Sequence, residues 1–376
     1  MQFKDVLGQE KIKTVLLKEA KSERISHAQM FLGEEGCGKL PLAMAFAQYL
    51  LCEAPSKKDS CGKCPSCIKV NHSTHPDVNY VYPVVKSATE KVAVSDDRRE
   101  LWNKFLAENP YCNLNMWQEY TSEMSKNAQI GVQESRSILK KLSLKSYSGK
   151  YKIMIVWLPE KMNNSAANKL LKILEEPPEK TLFFLICESV DLILPTIISR
   201  TQTIKIPNLK SDEVENYLID HKLTNPESAQ SIASLTQGNL VEAILMTNGD
   251  STNASYFESF VSLMRSAYAI DALALMEIAE NLAAYDRENQ KNFLKYGLHM
   301  FRESLIFNYL GEDKVNVKNE EKAFLNKFAR FINNQNISAL QNEFDQSIYH
   351  IDRNANAKLL FSDLVIKLTK LIKKGV

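Results

Sequence analysis

A chain of 376 residues, 44% apolar and 24% charged, is long enough for two or three domains and apolar enough to give each a packed core. Its 47 Lys and Arg against 45 Asp and Glu leave a formal net charge of +2, which excludes a bulk basic excess directed at nucleic acid or membrane. The opening MQFKDVLGQE lacks the apolar stretch of a secretory signal, and no run approaches the roughly 18 apolar residues of a membrane span, so the expected location is cytoplasmic.

The first 206 residues alternate between helix and strand patterns. GQEKIKTVLLKEAK (8–21) reads as an amphipathic helix, and AQMFL (28–32) as a short strand feeding the glycine-rich loop GEEGCGKL (33–40). KLPLAMAFAQYLLC (39–52) is the helix that follows, and a cysteine-rich segment comes next. Residues 85–128 interrupt the pattern. They are polar, hold Trp102 and Trp117, show no strand period, and read as a partly helical insertion elaborating the surface. YKIMIVWL (151–158) and LFFLIC (182–187) are nearly unbroken apolar runs, as in parallel strands buried on both faces. Between them NNSAANKLLKILEEPP is a helix with Asn164 or Ser165 as its cap and Pro177 as its stop. TQTIKI (201–206) is the last strand. The alternation predicts an α/β domain with a mostly parallel sheet over 1–206.

Beyond Pro207 the strand signals cease. Residues 207–250 read as a small helical unit, with GDSTNAS as the linker that ends it. Residues 251–376 are helical throughout, and Phe361, Leu364, Val365, Leu368 and Ile372 form an apolar stripe suited to packing within or between subunits.

Two motifs carry chemistry. Gly33, Gly36 and Gly38, between a strand and a helix, allow backbone N–H groups to turn toward phosphates, and Lys39 stands where a lysine reaches the outer ones. The next residue should offer a hydroxyl to magnesium, but it is Leu40. A second magnesium contact is expected from an acidic residue at the end of a later strand, where Trp157 and Leu158 stand instead. Glu160 lies two to three residues further on. The residues present make no magnesium site and leave retention of ATP open.

The second motif is the spacing C-x8-C-x2-C-x2-C at Cys52, Cys61, Cys64 and Cys67. Four thiolates with two-residue spacers suit a structural zinc, with an iron–sulfur cluster and reduced, unliganded thiols as the alternatives. Seven cysteines, an odd number, argue against a disulfide scaffold. Four ligands leave no open position, so the metal is expected to be structural rather than catalytic. His72 and His75 are not needed to complete the set, and His75 is expected to serve the local turn in HPD.

VLGQE (6–10), RISHAQMFLGEEGCGK (24–39), the cysteine module, HPD (75–77), MNNSAANKLLKILEEPP (162–178) and LILPTIISRT (192–201) together resemble the bacterial clamp-loader branch of the AAA+ ATPases. The resemblance spans most of the first 206 residues. It implies a RecA-like AAA+ domain at 1–206, a helical lid at 207–250 and a helical collar at 251–376. It also implies a hetero-pentamer with gamma/tau-like and delta-like subunits, acting through the complex on a sliding clamp and primed DNA. Departures from the family pattern at Leu40, Trp157 and Leu158, and Val241 in place of a lid arginine, imply no intrinsic ATPase. The polar sensor of the family falls near Cys187 or Glu188. Ser199-Arg200 is intact, and the resemblance makes Arg200 an arginine finger for the ATP of a neighbouring subunit. Two other readings are an active clamp-loader ATPase and a DNA-binding module built on the zinc site, whose lysines are Lys57, Lys58, Lys63 and Lys69.

Overall fold

The computed structural model describes residues 1–22, 24–87, 92–123, 127–143, 146–247, 250–315, 317, 319–353 and 355–374. The chain forms two compact units, Met1–Tyr217 with Gln237–Glu242, and Leu218–Thr236 with Ala243–Val376.

The first unit is built on five strands: β1 (Ala28–Leu32), β2 (Val78–Val81), β3 (Lys152–Trp157), β4 (Thr181–Cys187) and β5 (Gln202–Lys205). They lie in the order β2-β3-β4-β1-β5 and every pairing is parallel. The expected α/β class with a parallel sheet is the one observed. In β4, Leu182, Phe184 and Ile186 join one core, whereas Phe183, Leu185 and Cys187 join the core on the other face. Both sides of the β4 pleat are therefore dry, as they are in β3, which is why these two strand sequences run apolar without alternation. Over one face lies α2 (Lys39–Leu51), all 13 of whose residues are buried. The other is covered by α6 (Val132–Ser143) and α7 (Asn164–Glu175) through Ile138, Leu142, Leu170 and Leu174.

One strand comes without a sequence expectation, and three local readings are corrected. VNYV, polar at Asn79 and four residues long, gave no strand signal, yet it is β2, with all four residues buried. The cap of α7 is Asn163, one residue earlier than expected, its side chain accepting the Ala166 N–H at 2.9 Å. GDSTNAS is not a linker from Asp250 onward, because Asp250–Ala269 is one helix. Its polar small residues suit a first helical turn as well as a loop, and Gly249 lies outside the described residues. Lastly, the 85–128 segment does more than decorate the surface, although 88–91 and 124–126 lie outside the described residues. Its helices α4 (Arg99–Glu108) and α5 (Leu114–Tyr120) send Trp102, Phe105 and Trp117 into the α2-side core. Trp102 stacks on Tyr82 at 4.0 Å and lies 5.1 Å from both Trp117 and Trp157, between ring centroids. Aromatic side chains of this size bury too much area to be left in water, and here they find one another.

The second unit is all helical among its described residues, with its own core of Phe260, Phe293, Phe301, Phe344, Leu364 and Leu368. Its last helix, Ala357–Lys373, buries the five-residue stripe from Phe361 to Ile372.

Candidate functional site

The glycine-rich loop leaves β1 and turns into α2. Gly33 N–H donates to Cys187 O at 3.2 Å, tying the loop to the end of β4. Gly36 has φ +74°, and a Cβ there would lie 2.0 Å from Asn239 Oδ1. Gly38, at φ +89°, is the residue from which α2 springs. Both positions are left-handed, so glycine is required by backbone conformation, and at Gly36 by close approach as well.

Lys39 is 5% exposed and turned back on the loop. Its Nζ donates to Gly33 O at 2.7 Å and Glu34 O at 2.6 Å, and Glu188 Oε1 stands 3.7 Å away. Burial pushes the Glu188 carboxyl up to about 7, against the pull of the Lys39 charge. Glu160 reaches the same place from the end of β3. Its Oε1 accepts the Glu188 N–H at 2.8 Å, and burial raises its carboxyl too. Leu40 is buried in the α2-side core, as are Trp157 and Leu158. Val241 is buried and lines the same recess as Lys39 and Trp157, where a cavity of about 20 Å³ remains.

Three contributors to this site escaped the sequence reading. Gln9 holds the loop from outside, its Nε2 donating to Cys37 O at 3.0 Å and Pro207 O at 2.7 Å. VLGQE marked the place but not the task. Asn239 meets Gly36, and Tyr111 of the insertion lies against Gly38. Neither carries a local signal, since each depends on a long-range approach.

The four cysteines converge. Cys52 ends α2, and Cys64 caps α3 (Pro65–Asn71), its Sγ accepting the Cys67 N–H at 3.4 Å. The Cys61 N–H donates to Cys52 Sγ at 3.2 Å and the Cys64 N–H to Cys61 Sγ at 3.3 Å. All four Sγ atoms lie within 4.8 Å of one another, and Cys61 and Cys67 are 3.9 Å apart. Sulfurs around a tetrahedral zinc with bonds of ~2.3 Å would be separated by about 3.8 Å, so the set fits a metal ion such as zinc. N–H groups of Lys63 and Cys64 bring the Cys61 thiol down to about 6, whereas burial pushes Cys52 and Cys67 up. His75 stays out of the cluster, accepting the Asp77 N–H on Nδ1 at 3.1 Å.

Arg200 lies in neither group. It follows α8 (Pro195–Ile198) with its side chain 38% exposed, donating Nη1 to Thr196 O at 3.0 Å and pairing Nη2 with Glu175 at 2.8 Å. The guanidinium lies at the surface, where Ser199 Oγ also accepts from Nη1 at 3.4 Å.

Among known proteins, the sequence model of the family described as "DNA polymerase III, delta subunit" matches residues 8–210. Over 368 residues the chain is 26% identical to the DNA polymerase III subunit delta' of Bacillus subtilis (strain 168), covering 96% of each. It is 27% identical over 248 residues to the DNA polymerase III subunit tau of the same organism, covering 65% of this chain and 36% of that one. A solved structure of a DNA polymerase III gamma subunit-related protein from Thermotoga maritima aligns over 96% of this chain and 99% of its own, with 15% identity and a TM-score of 0.35.

Proposed function

The chain belongs to the DNA polymerase III delta-subunit family, in its delta-prime branch, and from that premise we propose that it serves the clamp loader without hydrolysing ATP itself. It completes the ring of a hetero-pentamer with gamma/tau-like and delta-like subunits and lends Arg200 to the nucleotide held next door. Through that complex it helps place a sliding clamp on primer–template DNA. Residues 1–206 serve as the AAA+ domain, 207–250 as the lid and 251–376 as the collar. Cys52, Cys61, Cys64 and Cys67 hold a structural zinc, which fixes the end of α2 against α3 and takes no part in chemistry.

The observation that carries the reading is the contrast between two sites. At the loop, Lys39 is consumed by Gly33 O, Glu34 O and Glu188, and hydroxyl and carboxylate are missing at Leu40, Trp157 and Leu158. Arg200 instead lies at the surface, its side chain 38% exposed and paired with Glu175. An arginine finger stabilises charge developing on a transferred phosphoryl group, and its planar fork matches two phosphate oxygens.

Arg200→Ala tests this. The variant should fold and join the complex, while turnover at the site it faces falls by as much as about 10³-fold. Unchanged ATPase of the reconstituted complex removes the finger. Magnesium-dependent turnover by the isolated chain, abolished by Lys39→Ala, would favour an active ATPase instead.

A further inference from the structure

Between α4 and α5 the chain leaves the insertion's core and runs Pro110, Tyr111 and Cys112 along the recess of the phosphate loop. Tyr111 is 5% exposed, and its hydroxyl accepts the Leu7 N–H at 2.8 Å. Its ring sits over the start of α2, where a Cβ on Gly38 would lie 3.3 Å from Cε1. Asn113 adds a tether, donating Nδ2 to Glu35 Oε1 of the loop at 3.1 Å. The helix N-terminus that would attract phosphate is thus capped by an aromatic ring from a segment some 70 residues away in the chain.

Magnitude decides what can enter. The remaining cavity of about 20 Å³ can take a water molecule. A nucleotide-sized ligand needs a cleft of roughly 300 Å³ or more. The obstruction is also firmly built. Asn113 caps α5, accepting the Met116 N–H at 2.9 Å, and the helices on either side anchor it through Trp102, Phe105 and Trp117.

We propose that residues 110–113 are an intramolecular plug which excludes nucleotide from the phosphate loop. The insertion, and not the loss of metal ligands alone, keeps the site empty of ATP. The proposal deepens the non-hydrolysing reading, and rests on it in taking residues 33–39 as a former nucleotide site. Arg200 plays no part in it, so the two can fail separately.

The test is equilibrium binding of ADP to the full-length chain, followed by calorimetry. The unaltered chain should show no saturation at millimolar ADP, and ADP should leave hydrogen exchange across residues 33–40 unchanged. Tyr111→Ala should bind at least about tenfold more tightly, as expected when a binding-incompetent majority state is removed. Adding Lys39→Ala should abolish that gain. Asn113→Ala, which removes both the Glu35 tether and the α5 cap but leaves the ring in place, should raise exchange at 110–113 and give a smaller gain. Micromolar binding by the unaltered chain, or folded Tyr111→Ala and Asn113→Ala chains that bind no better than it does, would overturn the plug.

Discussion

On the proposed reading Leu40 stands where a magnesium-binding hydroxyl would, but its side chain packs in the α2-side core. A hydroxyl placed there would face hydrocarbon and leave a void beside it. Leu40→Thr is therefore expected to give no ATP turnover in phosphate-release assays and to lower stability by about 1–3 kcal/mol in urea titrations. Glu188 has a more unusual setting. Its folded-state carboxyl is raised to about 7, above its unfolded value, so the folded chain holds that proton more tightly. Its contribution is complete at pH below the ordinary glutamate range and is lost as pH rises through about 7. Glu188→Gln cannot titrate, so its melting temperature should decline less than that of the unaltered chain over this window. Parallel profiles would show that the Lys39 ion pair already offsets the burial.

At the scale of elements, the strands β1, β3 and β4 were legible because a sheet covered on both faces imposes a largely apolar code, whereas β5 is an edge strand that buries Ile204 alone. β2 was not legible, since four residues with an asparagine carry too little pattern. The insertion was misjudged for a different reason. Its helices bury a few large aromatic residues among polar neighbours, and average polarity hides a core made from three or four big side chains. The cysteine module was readable because covalent spacing alone fixes where thiols can meet. It also makes a firm test: protein purified with its metal should hold about one zinc per chain. Chelation should loosen the 52–72 segment, because a structural zinc site contributes folding free energy directly. Exchange should rise there first, and Cys67→Ser should reproduce the effect without chelator. A metal content well below one, or exchange unchanged by chelation, would remove zinc from this module.

Across the whole molecule, the glycine-rich turn between β1 and α2 and the meeting of the four thiols could be read from local motifs, whereas what fills the turn could not. Tyr111, Asn239 and Gln9 reach it through tertiary approach, and no spacing rule connects residue 111 with residue 38. The two units have separate cores, one built on the sheet and one on helices. Two transitions are therefore expected in denaturant, separable when different probes are compared. Helical circular dichroism should report both units. A single coincident midpoint for all probes would instead indicate one cooperative block.

The tryptophan cluster has an optical consequence. The chain's three tryptophans, Trp102, Trp117 and Trp157, all lie in that one knot of rings in the first unit. Intrinsic tryptophan emission is consequently blind to the second unit, and its colour and quenching are set where the insertion meets β3. The knot is also what anchors the segment bearing Tyr111. Any withdrawal of that tyrosine from the loop should therefore change the emission spectrum, making the protein its own dye for the state of its phosphate loop.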